Sequence, residues 1–168
     1  MAPDTREIED EFLLQLGRTL VKWQWIEQAC YNLYSHMMKG MPDHLISVNW
    51  HHIRSFETHL GLLNACAHFT IPEAFKDDWK TLSKRLEKAS MTRNLIVHSV
   101  FGIRVSKGIA TAHLSISHTD STALVKNRVH KNELKPEFTF DHARLVRHMR
   151  EFEAISQKVL WLRATVLR

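Results

Sequence analysis

The sequence predicts an all-α fold, an antiparallel four-helix bundle with a small β-hairpin or three-stranded β excursion before the last helix. Four stretches carry apolar residues at steps of three and four, the spacing of helices that bury one face. Only five Gly and four Pro occur in 168 residues, so long uninterrupted helices are expected. Before the last stretch the apolar residues alternate, as they do in a strand.

The first helix is expected to begin near Asp4, whose carboxylate can cap it together with Glu7 three residues later. It should end at Gly40, and Pro42 with Asp43 should begin the next helix. Its apolar stripe consists of Ile8, Phe12, Leu16, Leu20, Trp23, Ile26, Cys30 and Leu33.

The second and third helices are predicted from two further stripes. One continuous second helix would carry Ile46, Trp50, Ile53, Phe56, Leu60, Leu63 and Ala67. A capping box of Thr70 and Glu73, with Pro72 in the first turn, should begin the third helix. That helix would carry Phe75, Trp79, Leu82, Leu86 and Ala89 and run to about Val97.

The β excursion is expected at about residues 100–130. Phe101–Val105 and Ile109–Ile116 read as a hairpin joined by a turn that contains Gly108. Thr122–Val129 could add a third strand, and Lys131–Glu137 is a polar connection. The fourth helix should begin near Asp141, with a stripe of Leu145, Met149, Phe152, Ile155, Val159, Leu162 and Val166. Residues 1–168 would then form a single domain.

Composition restricts the classes of function only loosely. A formal charge of +5 and a pI near 9.4 permit an acidic partner such as nucleic acid without requiring one. No apolar run reaches the length of about 18 residues that a membrane span needs, and the acidic start does not resemble a signal peptide. Cys30 and Cys66 lie in apolar surroundings and form no metal or redox motif. We therefore expect a cytoplasmic protein with reduced thiols and no membrane association.

The segment Arg93-Asn94-Leu95-Ile96-Val97-His98 is the strongest candidate for a functional site. The apolar spacing of the third helix leads directly to Arg93, which cannot lose its charge and needs an anionic or well hydrogen-bonded partner. On a helix, residues four apart differ by about 40° and residues five apart by about 140°. Asn94 and His98 should therefore share a face from which Arg93 points away. Either two copies of the chain bring Arg93 and His98 together, or the helix end unwinds and turns the imidazole inward.

These three residue types suffice for RNA cleavage without a metal. Arginine binds phosphate through a rigid fork and stabilises charge on its oxygens. Histidine titrates near neutrality, so it can accept a proton from a ribose 2′-OH or donate one to a departing 5′ oxygen. Asparagine can orient either group. The sequence thus indicates Arg93, Asn94 and His98 as candidate catalytic residues.

The segment resembles the R-x(4–6)-H motif of HEPN domains, including the polar residue after the arginine. The setting is also similar, since the motif closes the third helix of a predicted α-bundle. The resemblance implies a homodimer whose two motifs face a shared cleft. It also implies a metal-independent endoribonuclease, for example a toxin or defence component with an antitoxin or regulator as protein partner. Other HEPN domains are inactive and bind RNA or protein, so a silent dimeric module is the alternative.

Several competing interpretations remain at this point. Arg93 could instead cap or pair within the bundle, with His98 favoured at a helix C-terminus by the dipole. Arg54 and His59 repeat the spacing in the middle of a helix but lack the Asn. The chain has 12 His, yet their spacings do not match a bundle metal site, so we expect no metal and no cofactor, and a metal-dependent enzyme is the weakest alternative.

Arginines and tryptophans outside the motif are secondary candidates. Arg144, Arg147 and Arg150 form a basic flank on the last helix that could follow an RNA backbone. Trp25 and Trp161 lie off the apolar stripes, where an aromatic ring either borders the core, stacks on a base or covers a dimer contact.

Overall fold

The computed structural model describes residues 5–116 and 139–166, and most of these residues are helical. No helix among them is both long and apolar enough to cross a membrane. The elements in chain order are α1 (Arg6–Met37), α2 (Asp43–His51), α3 (Phe56–Thr70), a 3₁₀ turn (Glu73–Phe75), α4 (Lys76–Val97), β1 (Ser99–Ser106), β2 (Ile109–Ile116), β3 (Thr139–Phe140) and α5 (His142–Val166). A helical architecture with a small antiparallel sheet before the last helix is thereby confirmed.

The chain gathers into two compact units. The first unit contains α1 up to Leu20 and the described residues from Thr92 to Met149. Its core combines side chains from α1, α4, the sheet and α5, and consists of Phe12, Ile96, Ala112, Leu114, Phe140 and Leu145. The second unit contains Val21–Met91 and the last helix from Arg150 onward. Its core includes Trp23, Ile26, Cys30, Leu33, Trp50, Leu63, Trp79, Leu86, Phe152, Val159 and Leu162.

The sheet of the first unit has the strand order β1-β2-β3 and is antiparallel throughout. The predicted hairpin is confirmed, with Ser106 opposite Ile109 and Ser99 opposite Ile116. Its two turn residues, Lys107 and Gly108, have φ values of 52° and 77°, as a two-residue hairpin turn of the primed type requires.

The third strand of the sheet is Thr139–Phe140, which pairs with Leu114 and Ser115. The predicted strand over Thr122–Val129, the connection Lys131–Glu137 and the cap at Asp4 lie outside the described residues. The predicted start of the last helix is confirmed, because the Asp141 carboxylate accepts a hydrogen bond from the backbone N–H of Arg144 at 2.7 Å.

The prediction of one continuous second helix is wrong. The chain leaves the helix after His51 and begins α3 at Phe56. Ser55 has extended dihedral angles, and its hydroxyl caps α3 by accepting the N–H of Thr58 at 3.1 Å. Ile46 before the break and Phe56 after it are buried in the same core. The apolar residues therefore keep a helical spacing in the sequence although the helix itself is interrupted.

The predicted capping box of Thr70 and Glu73 is also wrong. Thr70 is the last residue of α3, and its hydroxyl donates to the carbonyl of Cys66 at 2.9 Å. Pro72 then precedes the 3₁₀ turn, and Glu73 pairs with Lys76 at 2.6 Å. The third predicted helix therefore begins at Lys76, although its end at Val97 agrees with the prediction.

The break between α2 and α3 alters helix direction within the second unit. Phe56, the first residue of α3, packs against Trp23 with ring centroids 4.8 Å apart, and Cys66 near its end lies 3.8 Å from the sulfur of Met38. Residue numbers rise together along both helices, so α3 runs parallel to α1.

The last helix also runs parallel to α1 within this unit. Lys22 and Glu153 form an ion pair at 2.7 Å, and Arg163 lines a pocket with His36 and Lys39 at the end of α1. An up-down-up-down bundle of four helices would place its first and last helices antiparallel. The first residue of α2, Asp43, lines the pocket at the end of α1, and Trp50 farther along α2 packs on Tyr31 and Tyr34. This extra reversal made by α2 accounts for the difference.

Candidate functional site

The motif segment forms the last turn of α4 and the residue that follows it. Ile96 is buried in the core of the first unit, and this contact fixes which side of the turn faces inward. Arg93 is half-buried, whereas Asn94 and His98 are exposed. This matches the predicted arrangement, in which Asn94 and His98 share a face and Arg93 lies nearer the apolar seam.

Asn94 is the central residue of the group. Its side-chain oxygen accepts a hydrogen bond from Nη1 of Arg93 at 2.9 Å, so the long arginine side chain reaches around the helix to the amide. Its backbone carbonyl accepts the N–H of His98 at 3.0 Å. The acceptor of this hydrogen bond is a neutral amide oxygen, which orients the guanidinium.

His98 remains in helical register at the end of α4. The bond from its N–H to the carbonyl four residues earlier is of the α-helical kind. Ser99 then donates its hydroxyl to the carbonyl of Leu95 at 2.6 Å and begins β1. The alternative in which the helix end unwinds and turns the imidazole inward is therefore wrong for this conformation, because the His98 side chain is exposed.

The structure brings only part of the predicted group into contact within one chain. Arg93 and Asn94 are hydrogen-bonded, and His98 lies one turn farther along the face of Asn94. Among the described residues, no hydrogen bond joins the imidazole of His98 to either of the other two side chains. The arrangement offers a held guanidinium and an accessible imidazole, which are the elements of phosphate binding and proton transfer.

The predicted basic flank divides into two kinds of residue. Nη1 of Arg144 donates to the carbonyl of Thr139 at 2.7 Å, and the guanidinium lies 4.6 Å from the ring centroid of Phe140. These contacts tie the start of α5 to β3. Arg147 and Arg150 are exposed, and Arg147 belongs to the same compact unit as the motif.

The second Arg-x4-His spacing has a different environment. The ring of His59 stacks on Trp50 with centroids 4.0 Å apart and planes inclined by 12°. Its Nε2 lies 2.9 Å from the backbone oxygen of Trp50, so His59 joins α3 to the end of α2. Within residues 5–116 and 139–166, no three His, Cys, Asp or Glu side chains come together as a group that could hold a metal ion.

The tryptophans divide as the sequence predicts. Trp23, Trp50 and Trp79 are buried, whereas Trp25 and Trp161 are exposed. Each exposed ring carries a lysine ammonium on one face: Lys22 Nζ lies 3.6 Å from the Trp25 centroid, and Lys158 Nζ lies 3.5 Å from that of Trp161. Stacking on a base would therefore have to use the opposite face of either ring.

The two cysteines are not activated as nucleophiles. Burial raises the pKa of the Cys30 thiol far above its usual range, and the nearby charge of Glu27 adds to the shift. Burial also raises the pKa of Cys66. Both thiols are free and stay protonated at neutral pH, as expected for reduced residues in apolar surroundings.

One concave feature was not found by reasoning from the sequence. A pocket of about 350 Å³ lies between the end of α1, the start of α2 and α5 in the second unit. Its polar lining consists of Asn32, Ser35, His36, Lys39, Asp43 and Arg163. Ser35 and His36 lie three and four residues after Asn32, and Lys39 lies three residues after His36, just beyond the end of α1, so polar residues at helical spacing were the available signal.

Comparison of the chain with protein-family models, with curated proteins and with solved structures found no match.

Proposed function

We propose that this protein is a metal-independent endoribonuclease of the HEPN type, acting in the cytoplasm as a homodimer. The observation that carries the proposal is the hydrogen bond from Arg93 to Asn94 beside the exposed imidazole of His98. A toxin or a defence component is the biological role that fits, and an antitoxin or regulator would then be its protein partner.

The reaction follows from the properties of the three side chains. The ribose 2′-oxygen attacks the adjacent phosphorus, and the bond from phosphorus to the 5′ oxygen breaks. The products are a 2′,3′-cyclic phosphate and a 5′-OH, so no water or metal is consumed. Arg93 stabilises the charge on the phosphate oxygens, and Asn94 orients the guanidinium.

His98 moves the proton in this scheme, and dimerisation would bring Arg93 of one protomer near the partner's His98. Its imidazole either takes the proton of the 2′-OH, with water protonating the departing 5′ oxygen, or protonates that oxygen, with water accepting the proton of the 2′-OH. A two-fold axis beside this face would let each Arg93 approach the partner's His98. Arg147, exposed in the same unit, would follow the RNA backbone.

A silent dimeric module that binds RNA or protein is the second candidate. Val97 and Val100 are exposed and flank His98 in sequence. Apolar side chains at this position would favour a protein contact that covers the imidazole. A module of this kind would bind a partner through the same surface without cleaving RNA.

The deciding experiment incubates the purified protein with RNA in excess EDTA. Wild-type protein should leave 2′,3′-cyclic ends, whereas Arg93→Ala and His98→Ala should lower the rate by about 10²- to 10⁴-fold. Arg85→Ala and His68→Ala, which change exposed residues of the same types, should retain the activity.

Thermal melts separate loss of chemistry from loss of structure. His98 is exposed, so its replacement should change the free energy of unfolding by less than about 0.5 kcal/mol. RNA binding without cleavage would favour the silent module. Activity that disappears in EDTA, or persists in both motif variants, would refute the proposed chemistry.

A further inference from the structure

We propose that the pocket between α1, α2 and α5 in the second unit binds the phosphate group of a small phosphorylated molecule. The pocket is lined by two permanent cations, Lys39 and Arg163, one carboxylate, Asp43, and hydrogen-bonding groups from Asn32, Ser35 and His36. These residues are distinct from the Arg93 motif, and the proposal does not depend on ribonuclease activity.

The charges of the pocket are not paired with one another. Neither Lys39 nor Arg163 forms an ion pair with any described residue, although Asp43 lines the same pocket. Two cations against one carboxylate leave a net positive site. A phosphate oxygen placed beside both cations would pair with the positive charge that Asp43 leaves unbalanced.

The arginine gives the site its preference for phosphate. Arg163 is half-buried on α5 and lines the pocket. A guanidinium presents two parallel N–H groups that match two oxygens of a phosphate. Lys39 is exposed at the end of α1 and adds a mobile point charge to the same anion.

The size and the remaining lining indicate a small molecule. A volume of about 350 Å³ lies at the lower end of the range for ligand pockets, and it suits a monomeric ligand better than a polymer. Met41 and Ile46 supply an apolar part against which a ring of the ligand can pack. We therefore assign the pocket to a phosphomonoester of about mononucleotide size.

Titration calorimetry at low ionic strength tests the assignment with three probes: adenosine 5′-monophosphate, inorganic phosphate and adenosine. The monophosphate should bind, and adenosine should not. Equal affinities for the monophosphate and inorganic phosphate would identify free phosphate as the ligand. Binding of adenosine as tight as that of its monophosphate, or no binding of either phosphate probe at millimolar concentration, would overturn the proposal.

Variants test the roles of the charges. Arg163→Gln should weaken binding of the monophosphate about 10- to 100-fold, because hydrogen bonds to a charged group are lost. Lys39→Gln, at an exposed position, should weaken it without affecting the fold. Asp43→Asn should tighten it about two- to fivefold by removing a repulsive charge. Arg85→Gln on α4, outside the pocket, is the matched control and should bind as the wild type does.

The direction of the Asp43 effect distinguishes the proposal from a general loss of structure. A damaged pocket would bind more weakly in every variant. Unchanged affinity in both Arg163→Gln and Lys39→Gln, or weaker binding in Asp43→Asn, would show that these charges do not hold the phosphate.

Discussion

Shortening Ile96 should destabilise the protein far more than shortening Val97, the next residue of α4. Ile96 is 2% exposed and packs in the core of the first unit, whereas Val97 is 49% exposed. This contrast sets the rotation of the helical turn that carries the candidate catalytic residues. A stability measurement on two adjacent apolar residues therefore tests the geometry of the candidate site.

The magnitudes follow from the burial of each side chain. Ile96→Ala leaves a cavity and should cost about 2–5 kcal/mol, and Ile96→Val should cost about 0.5–1.5 kcal/mol. Val97→Ala shortens a side chain that is about half exposed and lies outside the buried core, so the free energy of unfolding should stay within about 0.5 kcal/mol of the wild-type value. For a chain of this size about 1 kcal/mol corresponds to roughly 2–4 °C in Tm.

Urea unfolding followed by circular dichroism provides the assay. The midpoint should fall in the order Val97→Ala, Ile96→Val, Ile96→Ala, with an unchanged slope. If Val97→Ala were as costly as Ile96→Ala, the core would lie midway between the two residues, and the turn would be rotated by about 50° from the orientation described above. That rotation would carry Asn94 toward the core, and the proposed exposure of the site would be refuted.

Two further predictions concern stability. Burial raises the pKa of Cys30 above its ordinary value of 9.0, so the unfolded thiol ionises first. The contribution of this buried thiol to the free energy of unfolding should be constant below about pH 9. Above that pH it should fall by up to about 1.4 kcal/mol per pH unit, as measured by urea unfolding at a series of pH values. An equal slope in Cys30→Ala would contradict this expectation. Gly61→Ala, at an open position within α3, should stabilise the protein by about 0.5–1 kcal/mol. Gly108→Ala, at a φ of +77°, should destabilise it by about 1–2 kcal/mol. Shifts in melting temperature of the same sign for the two variants would refute this pair of predictions.

The break in the second predicted helix shows what apolar spacing cannot reveal. Periodicity reports which residues face a core, and α2 and α3 face the same core from two different directions. The local signal was Ser55, a good N-cap residue, whose hydroxyl competes with the backbone for hydrogen bonds. Thr70 is the opposite case, a predicted N-cap residue that does not cap a helix. Its hydroxyl donates to the carbonyl of Cys66 within α3 instead of accepting an N–H of the next helix.

The candidate site was easier to anticipate than the topology. Helix geometry alone places Asn94 and His98 on one face, and the burial of Ile96 agrees with that placement. The angle between side-chain directions on an ideal helix did not predict the hydrogen bond from Arg93 to Asn94. That angle takes no account of how far a long, flexible arginine side chain can reach. Thr139–Phe140 was missed because two residues are too few to show alternation.

The alternating burial along β2, which follows the turn at Lys107 and Gly108, limits how the length of this hairpin can change. Ala110, Ala112 and Leu114 are buried on β2, while the residue between the two alanines, Thr111, is exposed. An insertion or deletion of one residue within a strand would exchange the two faces and expose the inward set. A change of one residue within either strand would therefore have to be absorbed by a bulge, whereas a change of two residues would keep the same side chains facing inward.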